Sequence, residues 1–203
     1  MRCLIISGGK FEKIKLHEKY NFVIACDKGY LHARKLKISP DIIVGDFDSA
    51  KMPKINANII AVDSVKDDTD TSLAIKYALR NGYKDIDIIC ALGGRLDHTF
   101  ANISLMKYIV EHGGHVRILS DEATLIAVGK GKIKIKKENS KYLSIFSLSD
   151  KSKIEYIKGT KYDRKNVVLR NEFPLGVSNE FKNKVAEVKV VSGVVLIIMV
   201  KEK

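Results

Sequence analysis

The feature that most constrains this chain is a change of hydrophobic rhythm near residue 125. Before it, short apolar runs at 3–6, 22–26, 42–44, 59–62, 86–91 and 116–119 alternate with helical patterns at 30–36, 71–80 and 99–112. Unbroken Ile/Val-rich runs mark strands buried on both faces of a parallel sheet. In the second helix Leu73, Ala74, Tyr77 and Ala78 form an apolar stripe. After residue 125, the segments 132–136, 142–148, 153–156, 167–169, 187–191 and 194–200 alternate with period two, the pattern of half-buried antiparallel strands. The expectation is an α/β N-terminal domain with a mostly parallel sheet, residues 1–124, followed by a C-terminal all-β sandwich domain, residues 125–203. No repeat or Pro/Gly/Ser-rich linker separates them.

The 203 residues are 45% hydrophobic with three prolines, enough apolar material for one large core or two small ones. The first residues lack the tripartite pattern of a secretory signal, and the most apolar run, 193–200, is far shorter than the roughly 20 residues that span a bilayer. A cytoplasmic protein is expected. Cys3, Cys26 and Cys90 are odd in number, lack C-x-x-C spacing and sit in or beside apolar runs, so they read as reduced core thiols rather than disulfide or zinc ligands. The net charge of +12 is uneven: residues 128–203 carry 18 Lys/Arg against 8 Asp/Glu. These are mostly lysines alternating with apolar residues, which reads as a solvated strand face; nucleic-acid binding is the alternative.

The acids of the first half gather after predicted strands, where open, Rossmann-like sheets bind ligands. Asp46 and Asp48, in Gly45-Asp46-Phe47-Asp48-Ser49, repel each other in one turn unless a cation neutralises them. Asp67-Asp68-Thr69-Asp70 opens a helix, so Asp67 and Asp70 can share one side of its first turn, or one acid can simply cap it. Gly93-Gly94-Arg95-Leu96-Asp97-His98 combines glycines that let amides approach a phosphate with an arginine fork suited to its oxygens. Asp27-Lys28-Gly29 and Ser7-Gly8-Gly9 either line a nucleotide pocket or form plain turns. G-x-x-x-x-G-K-[ST], G-x-G-x-x-G and G-x-S-x-G are all lacking, which sets aside P-loop, dinucleotide and serine-hydrolase chemistry and leaves phosphoryl-group transfer with a hard cation.

In order and spacing, Asp46-Phe47-Asp48-Ser49, Asp67-x-Thr69-Asp70 and Gly93-Gly94-Arg95-x-Asp97-His98 with Asn102 resemble the thiamine pyrophosphokinase family. The resemblance extends through Ala25-Cys26-Asp27-x-Gly29, Gly159-x-Lys161-Tyr162 and Val177-Ser178-Asn179-Glu180. It implies a homodimer with active sites between subunits, in which the thiamine hydroxyl attacks the β-phosphorus of ATP with Mg²⁺ and AMP departs. By the same resemblance Asp46, Asp48, Asp67 and Asp70 form the acidic set, with Asp46, Asp48 and Asp70 on the metal. Arg95 and Asp97 contact nucleotide and substrate. Asp27, Gly29, Gly93, Gly94 and His98 shape the nucleotide pocket, while Ser178 and Asn179 serve the thiamine end. Asp70 is the chosen proton acceptor.

Three departures stand out. There is no Trp to stack on thiamine, so Tyr162 is the candidate aromatic wall, the alternative being an ordinary strand residue. The usual Pro-Leu after that aromatic is here Asp163-Arg164, and Lys66 precedes the acidic motif. His98 either contacts ATP or is a satisfied helix-start histidine. A different magnesium-dependent phosphotransferase or phosphohydrolase, and a nucleotide-binding regulator that binds nucleic acid through the basic second half, are the competing classes.

Overall fold

The computed structural model describes residues 1–45, 58–61 and 68–202. The chain divides into two compact units, one of Met1–Leu105 with His112–Ser120 and the other of Met106–Glu111 with Asp121–Lys203.

In the first unit the strands are β1 (Arg2–Ile6), β2 (Phe22–Cys26), β3 (Ile42–Gly45), β4 (Asn58–Ala61), β5 (Asp85–Ile89) and β6 (His115–Leu119). Helix α1 (Gly29–Leu36) follows β2, α2 (Asp70–Arg80) follows β4 and α3 (Leu96–Glu111) follows β5. The strands lie in the order β6-β5-β1-β2-β3-β4 with every pairing parallel. β1 is central and its Leu4, Ile5 and Ile6 are essentially without solvent contact, as an unbroken apolar run predicts. The chain builds outward from β1 to β4, then returns to place β5 on β1's other edge. That reversal is a topological switch point, and a crevice opens beyond the carboxyl ends of the strands flanking it. The polar exception in this sheet is Asp87 of β5, whose carboxylate takes both arms of the Arg117 guanidinium (2.7 Å each) and the Tyr20 hydroxyl (2.8 Å). A buried carboxylate persists because those donors satisfy it.

The second unit contains β7 (Ala123–Val128), β8 (Gly131–Lys136), β9 (Ser140–Ser147), β10 (Lys151–Lys158), β11 (Arg164–Arg170), β12 (Gly176–Glu180), β13 (Val185–Ser192) and β14 (Val195–Lys201). They form two antiparallel layers, β12-β9-β14-β7 and β11-β10-β13-β8. Leu143, Ile145, Val195 and Ile197 of the first layer share one core with Ile154, Leu169, Val188 and Val190 of the second. Removing each such side chain from water contributes about 1.5–3 kcal/mol. Lys132, Lys134 and Lys136 of β8 are exposed and alternate with the buried or half-buried Ile133 and Ile135, the behaviour of a solvated strand face.

Parallel and antiparallel pairings therefore both occur, and the strand set is mixed. The expectation of α/β plus an antiparallel layer holds; the description of the sheet as mostly parallel does not extend to the whole. The buried stripe of α2 is Thr71, Ala74, Ile75 and Ala78, turned slightly from the predicted one. Tyr77 stacks on Phe22 instead, with centroids 6.0 Å apart. All three cysteines are free and buried. Among the described residues no helix is long and apolar enough to cross a membrane.

Candidate functional site

Beyond the carboxyl ends of β1, β2 and β5 the first unit opens a cleft of about 670 Å³. Its walls are set by main-chain contacts at each strand exit. After β1, the Ser7 N–H donates to the Ile89 carbonyl (3.0 Å) and the Gly9 N–H to the Cys90 carbonyl (2.9 Å), so the Ser7–Gly9 turn lies along the exit of β5. A Cβ on Gly9 would meet the Cys90 oxygen at 2.5 Å, which is why glycine stands there. After β2, Asp27 takes a left-handed conformation (φ 42°) with its N–H on the Val44 carbonyl. After β5, Cys90 is also left-handed (φ 53°), followed by Gly93 (φ 74°) and Gly94 (φ 75°). Non-glycine residues in this region cost about 1–3 kcal/mol each and concentrate at functional sites.

Side chains lock these turns to the helices. Ser7 Oγ and Thr71 Oγ1 are 2.9 Å apart, the Ser7 carbonyl lies 3.2 Å from His32 Nδ1, and buried Asn102 donates its amide to the Ala91 carbonyl at 2.8 Å. At the start of α2, Thr69 is the cap, its Oγ1 accepting from the Ser72 N–H at 3.2 Å. Asp68 accepts from Lys76 Nζ and, second, from Ser72 Oγ, which hold its carboxyl below the usual range. Thr69 caps the helix and Asp68 anchors it; both line the cleft together with Asp70 of the first turn.

Asp27, Asp70, Gly93, Gly94, Arg95 and His98 line this one cleft. Gly29 and Asp97 do not. At Gly29 a Cβ would stand 2.0 Å from the Ile6 carbonyl oxygen, so glycine there lets α1 pack on the end of β1. Asp97 grips Arg95, receiving Nη2 at 2.6 Å and Nε at 3.2 Å; the pairing raises the Arg95 pKa further and lowers that of Asp97. Its Oδ1 also accepts the His98 N–H at 3.0 Å, which fits a group that aims Arg95. Asp46, Asp48 and Asp67 lie outside the described residues. Lys10 and Thr71 line the cleft and were missed by sequence reasoning; the visible signal was a lysine directly after the Gly-Gly that ends the first strand.

No thiolate competes for a cation here. Burial, with the charge of Asp70 second, pushes the Cys26 thiol far up; Cys90 is raised by burial; Cys3 is pushed up to about 12 by burial and the charges of Asp41 and Asp87. Among the described residues no cluster of three or more His, Cys, Asp or Glu is gathered for a metal.

The second unit holds a separate, mainly apolar cavity of about 480 Å³, lined by Ile145, Ile157, Leu169 and Val177 with Tyr162 and Asn179. Ser178 is left-handed (φ 57°) and donates its N–H to Ser144 Oγ at 3.0 Å.

Cations and glycine amides at a sheet's switch point suit an anion, and carboxylates in the same cleft suit a cation bound beside it; together they define an α/β protein that handles phosphate groups. Comparison with known proteins narrows that class. Residues 14–118 match the family model for the thiamin pyrophosphokinase catalytic domain, and residues 130–195 the model for the thiamin pyrophosphokinase vitamin B1 binding domain. The chain belongs to the thiamin pyrophosphokinase family. The thiamine pyrophosphokinase of Bacillus subtilis (strain 168) is 27% identical over 188 residues, covering 89% of this chain and 88% of its own. A crystal structure of the Bacillus subtilis thiamine pyrophosphokinase superposes with a TM-score of 0.88 at 25% identity over all of both chains. That of a thiamin pyrophosphokinase family protein from Enterococcus faecalis gives 0.84 at 27% identity, again over both whole chains.

Proposed function

We propose that this protein transfers the pyrophosphoryl group of ATP to the primary hydroxyl of thiamine, giving thiamine diphosphate and AMP. The observation that carries this reading is the convergence of Gly93, Gly94, Arg95 and Asp70 on one switch-point cleft in a chain of this family. Residues 1–124 serve as the nucleotide-binding catalytic domain and residues 125–203 as the thiamine-binding and dimerisation domain. The Rossmann-like reading of the first domain is supported by its six parallel strands.

The donor set of the cleft suits Mg²⁺: Asp27, Asp70, Thr69 and Thr71 offer hard oxygen atoms, and the Cys26 thiol stays protonated. Asp70, with Asp46 and Asp48, would hold the ion, which when bound neutralises phosphate oxygens and orients the polyphosphate. The protein's own contribution is positioning and charge. The Gly93 and Gly94 turn brings main chain close to the phosphates. Arg95, aimed by Asp97, and Lys10 stabilise the negative charge that shifts as the P–O bond to AMP breaks. His98 and Asp27 border the nucleotide. Asp70 accepts the proton of the attacking hydroxyl, and Asp67 completes the acidic set. Tyr162, Ser178 and Asn179 form the thiamine end, contributed by the partner subunit of a cytoplasmic homodimer.

The test is direct. Purified protein incubated with ATP, Mg²⁺ and thiamine should yield thiamine diphosphate and AMP by chromatography, and a chelator should stop it. ADP or inorganic phosphate in place of AMP would overturn the reading in favour of a phosphohydrolase. A light-scattering mass twice that of the 22.7 kDa chain is expected for the dimer.

A further inference from the structure

The segment that carries Tyr162, between β10 and β11, is held from two sides by groups that spend their hydrogen-bonding capacity on it. On one side is Asn179 of β12. Its Oδ1 accepts the N–H of Tyr162 at 3.0 Å and the N–H of Glu180 at 2.9 Å. Its Nδ2 donates to Thr160 Oγ1 at 3.1 Å and to the Tyr162 carbonyl at 3.2 Å. A side-chain amide has two donor hydrogens and two acceptor lone pairs, so these four bonds leave it nothing for a ligand. The register of β12 against β9 shifts between Gly176 and Asn179, and left-handed Ser178 sits within that irregularity. Bulges of this kind re-aim a side chain, here turning Asn179 toward the Tyr162 segment.

On the other side is Asp163, whose Oδ1 accepts the Thr160 N–H at 2.8 Å and the Thr160 hydroxyl at 3.1 Å. Burial alone would raise its pKa, but those bonds from Thr160 hold the carboxyl below the usual range. Thr160 itself is buried, and the Lys161 N–H donates to the Glu180 carbonyl at 2.8 Å. Both main-chain groups of Tyr162 are therefore tied to one residue, while its ring, 52% exposed, borders the apolar cavity.

We infer that Asn179 is a positioning residue that acts through Tyr162, and that Asp163 completes the clamp, fixing the turn by its two hydrogen bonds from Thr160. Preordering the turn spares thiamine the cost of ordering it on binding. The inference rests on the reading of Tyr162 as the aromatic wall of the thiamine site.

Steady-state kinetics on the full chain test it, with the KM for thiamine, the KM for ATP and kcat measured separately. Asn179→Ala should raise the thiamine KM about 10-fold, the size of roughly one net hydrogen bond, and leave the ATP KM and kcat at saturating thiamine within about 3-fold. Asp163→Ala should reproduce that selective effect from the other side, and Asp163→Asn, which keeps an oxygen acceptor, should lose less. Tyr162→Ala should itself raise the thiamine KM, and adding Asn179→Ala to it should change little more. Additive effects in the double variant would make Asn179 a direct substrate contact and overturn the proposal, as would an unchanged thiamine KM in Asn179→Ala. An unchanged thiamine KM in Tyr162→Ala would instead remove the aromatic wall, and the clamp's function with it. Because the chain has no Trp, Tyr162→Trp supplies a lone indole. Its quenching by thiamine should weaken, and its anisotropy fall, when Asn179→Ala is added; unchanged anisotropy would count against the clamp even if that variant melts early.

Discussion

The cleft of the first unit and the cavity of the second are built from different materials. Around the cleft the decisive contacts are main chain on main chain: Ser7 and Gly9 on the exit of β5 and Asp27 on β3. Charged side chains are then added at the rim. Around the cavity, apolar side chains supply the walls and one polar side chain, Asn179, orders the aromatic at its mouth. A phosphate chain is recognised by amides and charge, which strand-end turns provide. A flat ring needs a surface held at one angle, which side-chain hydrogen bonds between strands provide.

That contrast can be broken at several points. The largest effect belongs to Asp70→Asn, expected to cut kcat at least about 100-fold with the fold retained, the usual size for losing a positioned acid-base or charge-stabilising group. Near-normal turnover by a folded variant would remove Asp70 from the chemistry. Next, Gly29→Ala forces a Cβ onto a backbone oxygen that cannot retreat, and urea unfolding should show a loss of about 3 kcal/mol. Gly8→Ala is the control: its Cβ would find only ordinary contacts beyond 3.4 Å, so its stability should change by about 0.5 kcal/mol or less. Equal losses in the two would refute the claim that close main-chain approach at the end of β1 is what requires glycine at position 29. Arg95→Lys keeps the charge but loses the fork, and should raise the ATP KM about 10-fold without altering the thiamine KM. The smallest effect is Asp68→Asn. Its depressed carboxyl pKa contributes stability above the ordinary value of 3.8 that is lost as pH falls through the lower folded-state value. Thermal melts should show a deficit under about 1 kcal/mol at neutral pH, since the Lys76 pair is part-exposed, and the deficit should vanish in strong acid.

The same division explains what could be read in advance. Strands of the first half announced themselves because burial on both faces demands unbroken Ile and Val, and β1, β2 and β6 begin or end within a residue of expectation. The turns Gly93-Gly94-Arg95 and Asp27-Lys28-Gly29 were legible as strand-end turns from their glycines and charge, but that Gly29 serves the packing of α1 on β1 and does not line the cleft was not. β7 and β12 were not. Ala123–Val128 buries mainly Leu125 and Ala127, too weak an alternation to stand out, and Gly176–Glu180 is a polar edge strand with a register shift. The Thr69 cap of α2 was not foreseen because a threonine beside three aspartates is inconspicuous, although its hydroxyl oxygen accepts from the Ser72 amide equally well. The role of Asn179 depends on three contacts between segments 17 to 19 residues apart, and spacing alone cannot reveal it.

The return of β5 to the inner edge of β1 also dates the assembly of the cleft during synthesis. β1 can pair with β2 as soon as Phe22 and its neighbours have emerged, but its other edge, through Ile5↔Ile88 and Ile6↔Ile89, must wait for most of the unit to be made. Contacts of such long sequence separation form slowly and leave apolar edges uncovered meanwhile. The Ser7 and Gly9 amides find their acceptors on Ile89 and Cys90, so the cleft-lining turn that begins at residue 7 takes its shape only after residue 90 has left the ribosome.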